Sequence, residues 1–368
     1  MTDPDAPHDA SYERVPVTRS IVVTAGQMPE RIDRFITHAV MRATRNKVQS
    51  AIDAGAVLVN GRPTKANYKV RPGDEIEITL MKPPPITLVP QNIPLDIVYE
   101  DADLLVVNKA AGMVTHPGYG NRDGTLVNAV LYHVGSLPEV GPGLMVEDED
   151  DDVEEPGVGR GGEDDEDVDD AEEAGGEGPR PGIVHRLDKE TSGLMVVAKN
   201  TEAQVDLARQ FAERTAKREY WAVAWGVIEN DEGEIEASLG RDTRDRKRFA
   251  VVRRGGKYAL TRYRVIRRFE FATLVALRLA TGRTHQIRVH MAHIGHPLFG
   301  DPTYGGRAVV YPGPGGKHRQ RVANLLNIMP RQALHARTLG ITQPRTREWL
   351  EFESELPADM LALIDALQ

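Results

Sequence analysis

The stretch from Gly182 to Asn200, GIVHRLDKETSGLMVVAKN, constrains the fold more than any other part of the chain. It starts with a short apolar run, continues through charged and hydroxyl-bearing residues, and ends in the apolar run Leu194 to Ala198. This order predicts a strand, a tight loop and a second strand. Loops held by rigid strands often carry catalytic groups, so Asp188 at the loop apex is a candidate catalytic residue. From the residues alone, an aspartate in such a loop more often caps its own backbone.

Charge is distributed very unevenly along the chain. The 368 residues carry a net charge of −9, but Glu147 to Gly178 contains 18 acidic residues and one arginine. That segment accounts for −17, which leaves +8 for the remainder of the chain. A segment so charged and so poor in apolar residues predicts a disordered acidic insertion, which we place at residues 141–180. The basic remainder favours a partner that carries phosphates.

Several classes of protein are disfavoured by what the sequence lacks. No cysteine is present, which removes disulfides, thiolate nucleophiles and cysteine-based zinc sites, and which fits a reducing cytoplasm. The first ten residues, MTDPDAPHDA, do not form a signal peptide. No apolar run approaches the roughly 20 residues of a membrane helix. The chain also has no Walker or dinucleotide fingerprint, so we expect a cytoplasmic protein without a small-molecule cofactor or a membrane partner.

The first 90 residues predict three segments. Residues 1–19 are polar and aperiodic, and we expect a flexible arm. Residues 20–82 contain two helical patterns, the second with Thr44 as a plausible N-cap, then a turn at Asn60-Gly61 and a small sheet, with many basic residues. Residues 83–90 begin with consecutive prolines and predict a stiff linker. The basic face predicts RNA docking, although an ordinary solvated helix surface remains an alternative.

Three sequence blocks resemble the RluA/RluD-type pseudouridine synthases, which act on ribosomal and transfer RNA. His185 to Gly193 matches the family signature HRLD-x-x-TSG, and the other two blocks are TGRTHQIRVHMAHIGHPLFGD and Arg331 to Ala336. Residues 20–82 resemble the S-four-type RNA-binding domain, which is named after a small-subunit ribosomal protein. The resemblance implies an α+β fold: a catalytic domain at residues 91–368 with a mixed, largely antiparallel sheet, preceded by the small RNA-binding domain.

The resemblance also implies a set of site residues. Asp188 would be the catalytic carboxylate, Arg288 its ion-pair partner, Tyr220 a stacking group that takes part in proton transfer, and Leu334 an apolar wall of the uracil pocket. Arg186 is a candidate for holding a phosphate. Lys109 and His116 flank the site as candidate RNA contacts, or they are local structural residues. Four histidines between His285 and His296 could suggest a metal, but the family pattern argues against one.

The implied reaction is the isomerisation of uridine to pseudouridine in large-subunit (23S) ribosomal RNA. No net oxidation or hydrolysis occurs, so no cofactor is required. We expect a monomer whose partner is ribosomal RNA or the pre-ribosomal large subunit. Three alternatives remain: a transfer-RNA pseudouridine synthase, a non-catalytic ribosome-assembly factor, and a carboxylate-based hydrolase, which lacks a convincing second carboxylate. The sequence leaves open whether Asp188 attacks the sugar or the base, or removes a sugar proton.

Two local predictions concern loops and caps. The basic stretch from Gly240 to Lys257 predicts a projecting hairpin that suits an RNA backbone. Thr125, Thr201 and Thr284 are each predicted to cap a helix. The strand Lys217 to Trp225 is predicted to alternate, with Tyr220 on one face and Trp221 on the other.

Overall fold

The computed structural model describes residues 15–40, 45–82, 84, 86–118, 121–138, 180–242, 245, 248–308 and 316–368. The described chain divides into two compact units, with the change between residues 86 and 87. The predicted acidic insertion lies outside the described residues apart from Arg180, as do residues 1–14, Thr44, Pro83 and Pro85.

The first unit is a small α+β module. Its elements are β1 (Val15–Val22), α1 (Ile32–Ala39), α2 (Arg45–Asp53), β2 (Val57–Val59), β3 (Arg62–Pro63) and β4 (Glu75–Lys82). The strands form an antiparallel sheet in the order β1-β4-β2-β3. Asn60 and Gly61 have φ values of 51° and 75°, so the predicted two-residue turn is present. The predicted arm is too long, because Val15 to Arg19 already pair with β4.

The second unit is organised around one large sheet. Its strands are β5 (Ile97–Glu100), β6 (Leu104–Lys109), β7 (Ser192–Ala198), β8 (Lys217–Trp225), β9 (Glu232–Arg241), β10 (Phe249–Val251), β11 (Lys257–Arg268), β12 (Ala272–Leu279), β13 (Leu334–Thr342) and β14 (Trp349–Glu353). They lie in the order β10-β9-β11-β12-β8-β13-β7-β6-β5, with β14 on β13. Among these described pairings only β13 and β7 are parallel. The sheet is therefore mixed and largely antiparallel, as predicted.

Five helices of this unit are described: α3 (Leu126–Val134), α4 (Thr201–Ala212), α5 (Gln286–His293), α6 (Gly316–Ile328) and α7 (Ala358–Ala366). Thr125 caps α3 as predicted. The other two predicted caps are wrong. Asn200 rather than Thr201 caps α4, and its side chain accepts the Ala203 N–H. Before α5, His285 takes a left-handed conformation without any side-chain cap.

The core lies on both faces of this sheet. The predicted alternation of β8 is confirmed, since Tyr220, Ala222 and Ala224 pack into one apolar cluster while Val223 and Trp225 pack into another. β9 and β10 form an antiparallel hairpin, as predicted for the basic stretch after Gly240. Arg244, Arg246 and Lys247 of that stretch lie outside the described residues.

Gly193 lets the start of β7 lie close against β13. Its φ is 119°, and a Cβ at this position would lie 2.4 Å from the Ala336 carbonyl oxygen. Only glycine allows the two backbones to approach so closely at their parallel contact, where Ala336 pairs with Gly193. The contact draws Leu334 and the loop that precedes β7 towards the same end of the sheet.

Candidate active site

The three matched blocks converge on one cleft. Asp188 comes from the loop before β7, Tyr220 from β8, Arg288 from α5 and Leu334 from the start of β13. Arg186 also lines the cleft and is exposed. The residues predicted as catalytic, Asp188, Tyr220 and Arg288, are thus brought together, although up to 100 positions separate them in the chain.

Arg288 is the centre of the site. Its Nη1 donates to Oδ2 of Asp188 at 3.0 Å, while Nε and Nη2 donate to the two carboxylate oxygens of Asp301 at 2.7 and 3.0 Å. The guanidinium is buried, and Asp301 is fully buried. A planar guanidinium can hold both carboxylates at once, which a lysine ammonium would do less well. The predicted partner of Asp188 is therefore shared with a second carboxylate.

The electrostatics of the cleft favour an ionised Asp188. Burial alone would raise the pKa of its carboxyl. The charge of His285 when it is protonated, and those of Arg288 and Arg186, outweigh that cost, so the pKa of Asp188 lies below its usual range. Arg288 also bonds the carboxylate directly. The side chain retains 21% exposure, which leaves it accessible from the cleft.

Asp301 and its loop were missed by the sequence analysis. Asp301 accepts the backbone N–H groups of Thr303 and Tyr304 as well as the two bonds from Arg288. Gly300 has a φ of 77°, and its N–H donates to the Gly306 carbonyl, which closes the loop. The clustered glycines of Gly300 to Gly306, GDPTYGG, are typical of a turn. Nothing in the local sequence indicated that the carboxylate of this turn would contact Arg288.

Lys109 is enclosed rather than presented to a ligand. It is 2% exposed, and its Nζ donates to the carbonyls of Ala110, Met113 and Lys189 at 2.8–3.1 Å. Burial lowers its pKa to about 7. The prediction that this ammonium contacts RNA is not supported by this arrangement, in which it ties the residue after Asp188 to the end of β6. The local structural alternative fits better.

His116 lines a second cavity, which Arg186, Lys189 and Gln332 also line. It is 7% exposed, and burial lowers its pKa to about 3, so the imidazole is neutral. A neutral, nearly enclosed imidazole offers little attraction to phosphate. Its predicted role as an RNA contact remains a prediction.

The histidines near α5 have separate partners. His290 contacts the Thr261 hydroxyl, His296 contacts the Trp225 carbonyl, and His285 contacts Tyr304. Within the described ranges, no group of three or more histidine, aspartate or glutamate residues is arranged to hold a metal ion. Over the same residues, no helix combines the length and apolar character needed to cross a bilayer.

Both units match models of known protein families. A family model described as RNA pseudouridylate synthase matches residues 103–293, and an S4 domain model matches residues 30–76. The first range contains Asp188, Tyr220 and Arg288. The second range lies within the first unit, so the α+β fold predicted for both parts is confirmed.

Full-length relatives agree with these matches. A protein of Chlorobaculum parvum described as an uncharacterized RNA pseudouridine synthase is 44% identical, covering 94% of this chain and 96% of its own length. The ribosomal large subunit pseudouridine synthase D of Pasteurella multocida is 38% identical, covering 96% and 95%. The solved structure of human RNA pseudouridylate synthase domain containing 4 aligns with a TM-score of 0.50 at 21% identity, covering 74% of this chain and 92% of that one. It supports the fold alone.

Proposed function

The chain belongs to the RNA pseudouridylate synthase family, and we propose that it converts specific uridines of large-subunit ribosomal RNA to pseudouridine, with Asp188 as the catalytic carboxylate. The main support for this proposal is the ion pair between Asp188 and Arg288, which lies in a cleft that Tyr220 and Leu334 also line. The relatives named for the large ribosomal subunit, which extend over nearly the whole chain, support ribosomal RNA as the substrate class.

The reaction breaks the bond from C1′ of the ribose to N1 of uracil and forms one from C1′ to C5. The proton on C5 leaves and N1 gains one, so the atoms balance without an oxidant or a hydrolytic water. An ionised carboxylate beside the glycosidic bond is required, and Arg288 supplies the charge that keeps Asp188 in that form. Asp188 keeps its side chain accessible from the cleft while Arg288 holds one of its oxygens.

The base must leave its stack to reach this carboxylate. Flipping a nucleotide costs a few kcal/mol in lost stacking, which contacts to the protein must offset. In our proposal Tyr220 packs against the uracil ring and Leu334 forms the apolar wall of its pocket, while the exposed Arg186 holds a phosphate at the mouth of the cleft. The S4 domain supplies a further RNA-binding surface.

We further propose that the protein acts as a monomer in the cytoplasm on ribosomal RNA or the pre-ribosomal large subunit. It would need neither a small-molecule cofactor nor a membrane. The basic balance of the chain outside the acidic segment, +8, supports a polyanionic substrate.

Tritium release tests the proposal directly. Ribosomal RNA transcribed with uridine labelled at carbon 5 would be incubated with the full chain, with Asp188→Asn, and with no protein. We expect release by the wild type only, with RNA affinity retained in Asp188→Asn, because that change keeps the side-chain shape and removes the charge. Equal release by Asp188→Asn would contradict the assigned carboxylate. Release from transfer RNA but not from ribosomal RNA would move the substrate to transfer RNA.

A further inference from the structure

A second hydrogen-bonded pair, His285 and Tyr304, lies beside Asp188. Nδ1 of His285 lies 2.8 Å from the Tyr304 hydroxyl, and Nε2 of the same imidazole lies 3.9 Å from Oδ2 of Asp188. Tyr304 is 7% exposed, so this contact is largely shielded from water. The family resemblance assigned no role to either residue.

The hydrogen bonds around Tyr304 favour one tautomer of His285. The Phe249 N–H donates to the Tyr304 hydroxyl oxygen at 3.2 Å. Burial raises the pKa of Tyr304 to about 12, so the phenol keeps its proton. With one lone pair of the oxygen taken by Phe249, the phenolic O–H is free to donate to Nδ1 of His285. A neutral imidazole that accepts at Nδ1 carries its proton on Nε2, the nitrogen nearest Asp188.

His285 is held in this position at a conformational cost. Its φ is 54°, which makes it one of four non-glycine residues with positive φ in the described chain. The left-handed region is uncommon for residues other than glycine, and such a conformation persists where surrounding contacts impose it, often at functional sites. Here those contacts are Tyr304 and the ring of Phe249, whose centre lies 6.2 Å from that of His285 in an edge-on arrangement.

We propose that His285 is a positioning residue for Asp188: Tyr304 holds the imidazole so that its Nε2–H is directed at Oδ2 of Asp188. Together with Arg288 this places two donors at one carboxylate oxygen and reserves Oδ1 for the substrate. The present 3.9 Å is longer than a hydrogen bond, and we expect it to shorten when RNA fills the cleft, as catalytic contacts commonly do. The inference rests on the proposed role of Asp188.

One loop would then orient both neighbours of the catalytic carboxylate. Asp301 holds Arg288, and Tyr304, three residues later, holds His285. The Tyr304 ring also packs against Arg288, with the guanidinium carbon 4.9 Å from the ring centre. The charged and titratable groups that face His285 are Asp188, Arg288, Arg186, Asp301 and Tyr304. Burial lowers the pKa of His285 although Asp188 opposes that shift, so a neutral donor is the form present at neutral pH.

Two substitutions of His285 separate this role from backbone effects. In His285→Gln the amide nitrogen can reach the place of Nε2, whereas in His285→Asn it reaches only the place of Nδ1. We expect the single-turnover rate of tritium release to fall about 10- to 100-fold in His285→Asn and only about threefold in His285→Gln. Asparagine tolerates positive φ better than glutamine, so relief of strain alone predicts the opposite order. A His285→Asn variant that is faster than His285→Gln would overturn the proposal.

The pH profile provides a readout that a merely structural role would not change. Loss of the Nε2–H donor removes support for the anion, so the acid limb of the rate should move to higher pH in His285→Asn, with RNA affinity unchanged. Tyr304→Phe keeps the ring beneath Arg288 and should shift the limb in the same direction, with a rate about three- to tenfold lower. His293→Asn, on an exposed position at the end of α5, is the control and should match the wild type. If the acid limb of the rate profile stays at the wild-type pH in both His285→Asn and Tyr304→Phe, the proposal is contradicted.

Nitrogen-15 NMR of the wild-type imidazoles tests the pair without any activity. We expect His285 to show the proton on Nε2, and Tyr304→Phe to produce a mixture of tautomers. A proton on Nδ1 in the wild type would refute the arrangement. A wild type that releases no tritium from any RNA would count against the proposed function, while this measurement would still decide whether Tyr304 orients His285.

Discussion

Two buried arginines in the catalytic unit make nearly the same ion pair and differ in where the third nitrogen points. Arg288 grips Asp301 through Nε and Nη2 at 2.7 and 3.0 Å, and Arg331 grips Asp359 through the same atoms at 2.7 and 2.9 Å. Nη1 of Arg288 donates to the carboxylate of Asp188. Nη1 of Arg331 donates to the Glu190 carbonyl at 2.9 Å.

This difference gives the two arginines different roles, one electrostatic and one structural. A guanidinium aimed at a carboxylate in a cleft changes the charge state of that group, whereas one aimed at a backbone carbonyl holds the chain in place. Both act on the same loop, since Glu190 follows Asp188 by two residues. The loop that carries the catalytic candidate is thus supported by one arginine through its side chain and by another through its backbone.

The largest effect is expected for Arg288→Lys. The ammonium keeps the positive charge but cannot bond Asp188 and Asp301 in the same plane, so we expect the single-turnover rate to fall roughly 1,000-fold. RNA affinity in a filter-binding assay should change by less than about threefold, because Arg288 is buried. Near-normal tritium release by this variant would refute the ion pair as a requirement for activity.

Arg331→Lys should act mainly on stability. Loss of the fork leaves Asp359 and the Glu190 carbonyl without their partner, and we expect the free energy of unfolding to fall by about 2–3 kcal/mol. All three tryptophans, Trp221, Trp225 and Trp349, lie in the catalytic unit, so their fluorescence during urea denaturation reports on that unit. At low temperature the rate should drop far less than in Arg288→Lys. Equal losses of activity in the two variants would remove the distinction between them.

Asp301→Asn tests how the charge of Asp301 affects Arg288 and, through it, the pKa of Asp188. Removing the negative charge of Asp301 leaves the charge of Arg288 less compensated, so the pKa of Asp188, which is already below its usual range, should fall further. The acid limb of the rate profile should therefore move to lower pH, the reverse of the shift expected for His285→Asn. We expect the rate at neutral pH to fall about tenfold, because the amide accepts fewer bonds from Arg288. A limb that moves to higher pH would contradict this charge balance.

The smallest effect is expected at an exposed arginine of the same sheet. Arg262 pairs with Glu234 across β11 and β9 at 2.6 Å, with side-chain exposures of 59% and 56%. Water and salt screen such a pair, so Arg262→Ala should change the free energy of unfolding by less than about 0.5 kcal/mol. The same urea titration that measures Arg331→Lys checks this. A cost as large as that of Arg331→Lys would show that burial does not govern the difference.

Local sequence patterns were sufficient to predict several structural features of this protein. The alternation of β8, the Asn60-Gly61 turn and the Thr125 cap depend on neighbours within a few residues, and each was predicted correctly from the sequence. The motif resemblance predicted the α+β fold of both units and the family, and it named Asp188, Tyr220, Arg288 and Leu334, which the structure brings to one cleft.

What remained depended on contacts that only the folded chain creates. Asp301 meets Arg288, Tyr304 meets His285, and Lys109 is enclosed by carbonyls from two separate loops, although no periodicity in the sequence links these partners. The left-handed backbone of His285 replaced a predicted threonine cap for the same reason, since Tyr304 holds its ring from 19 residues away. Helix and strand periodicity encodes which face of an element is apolar. The order of strands in the sheet decides which polar side chains meet at its edge, and that order is set by the packing of the whole unit.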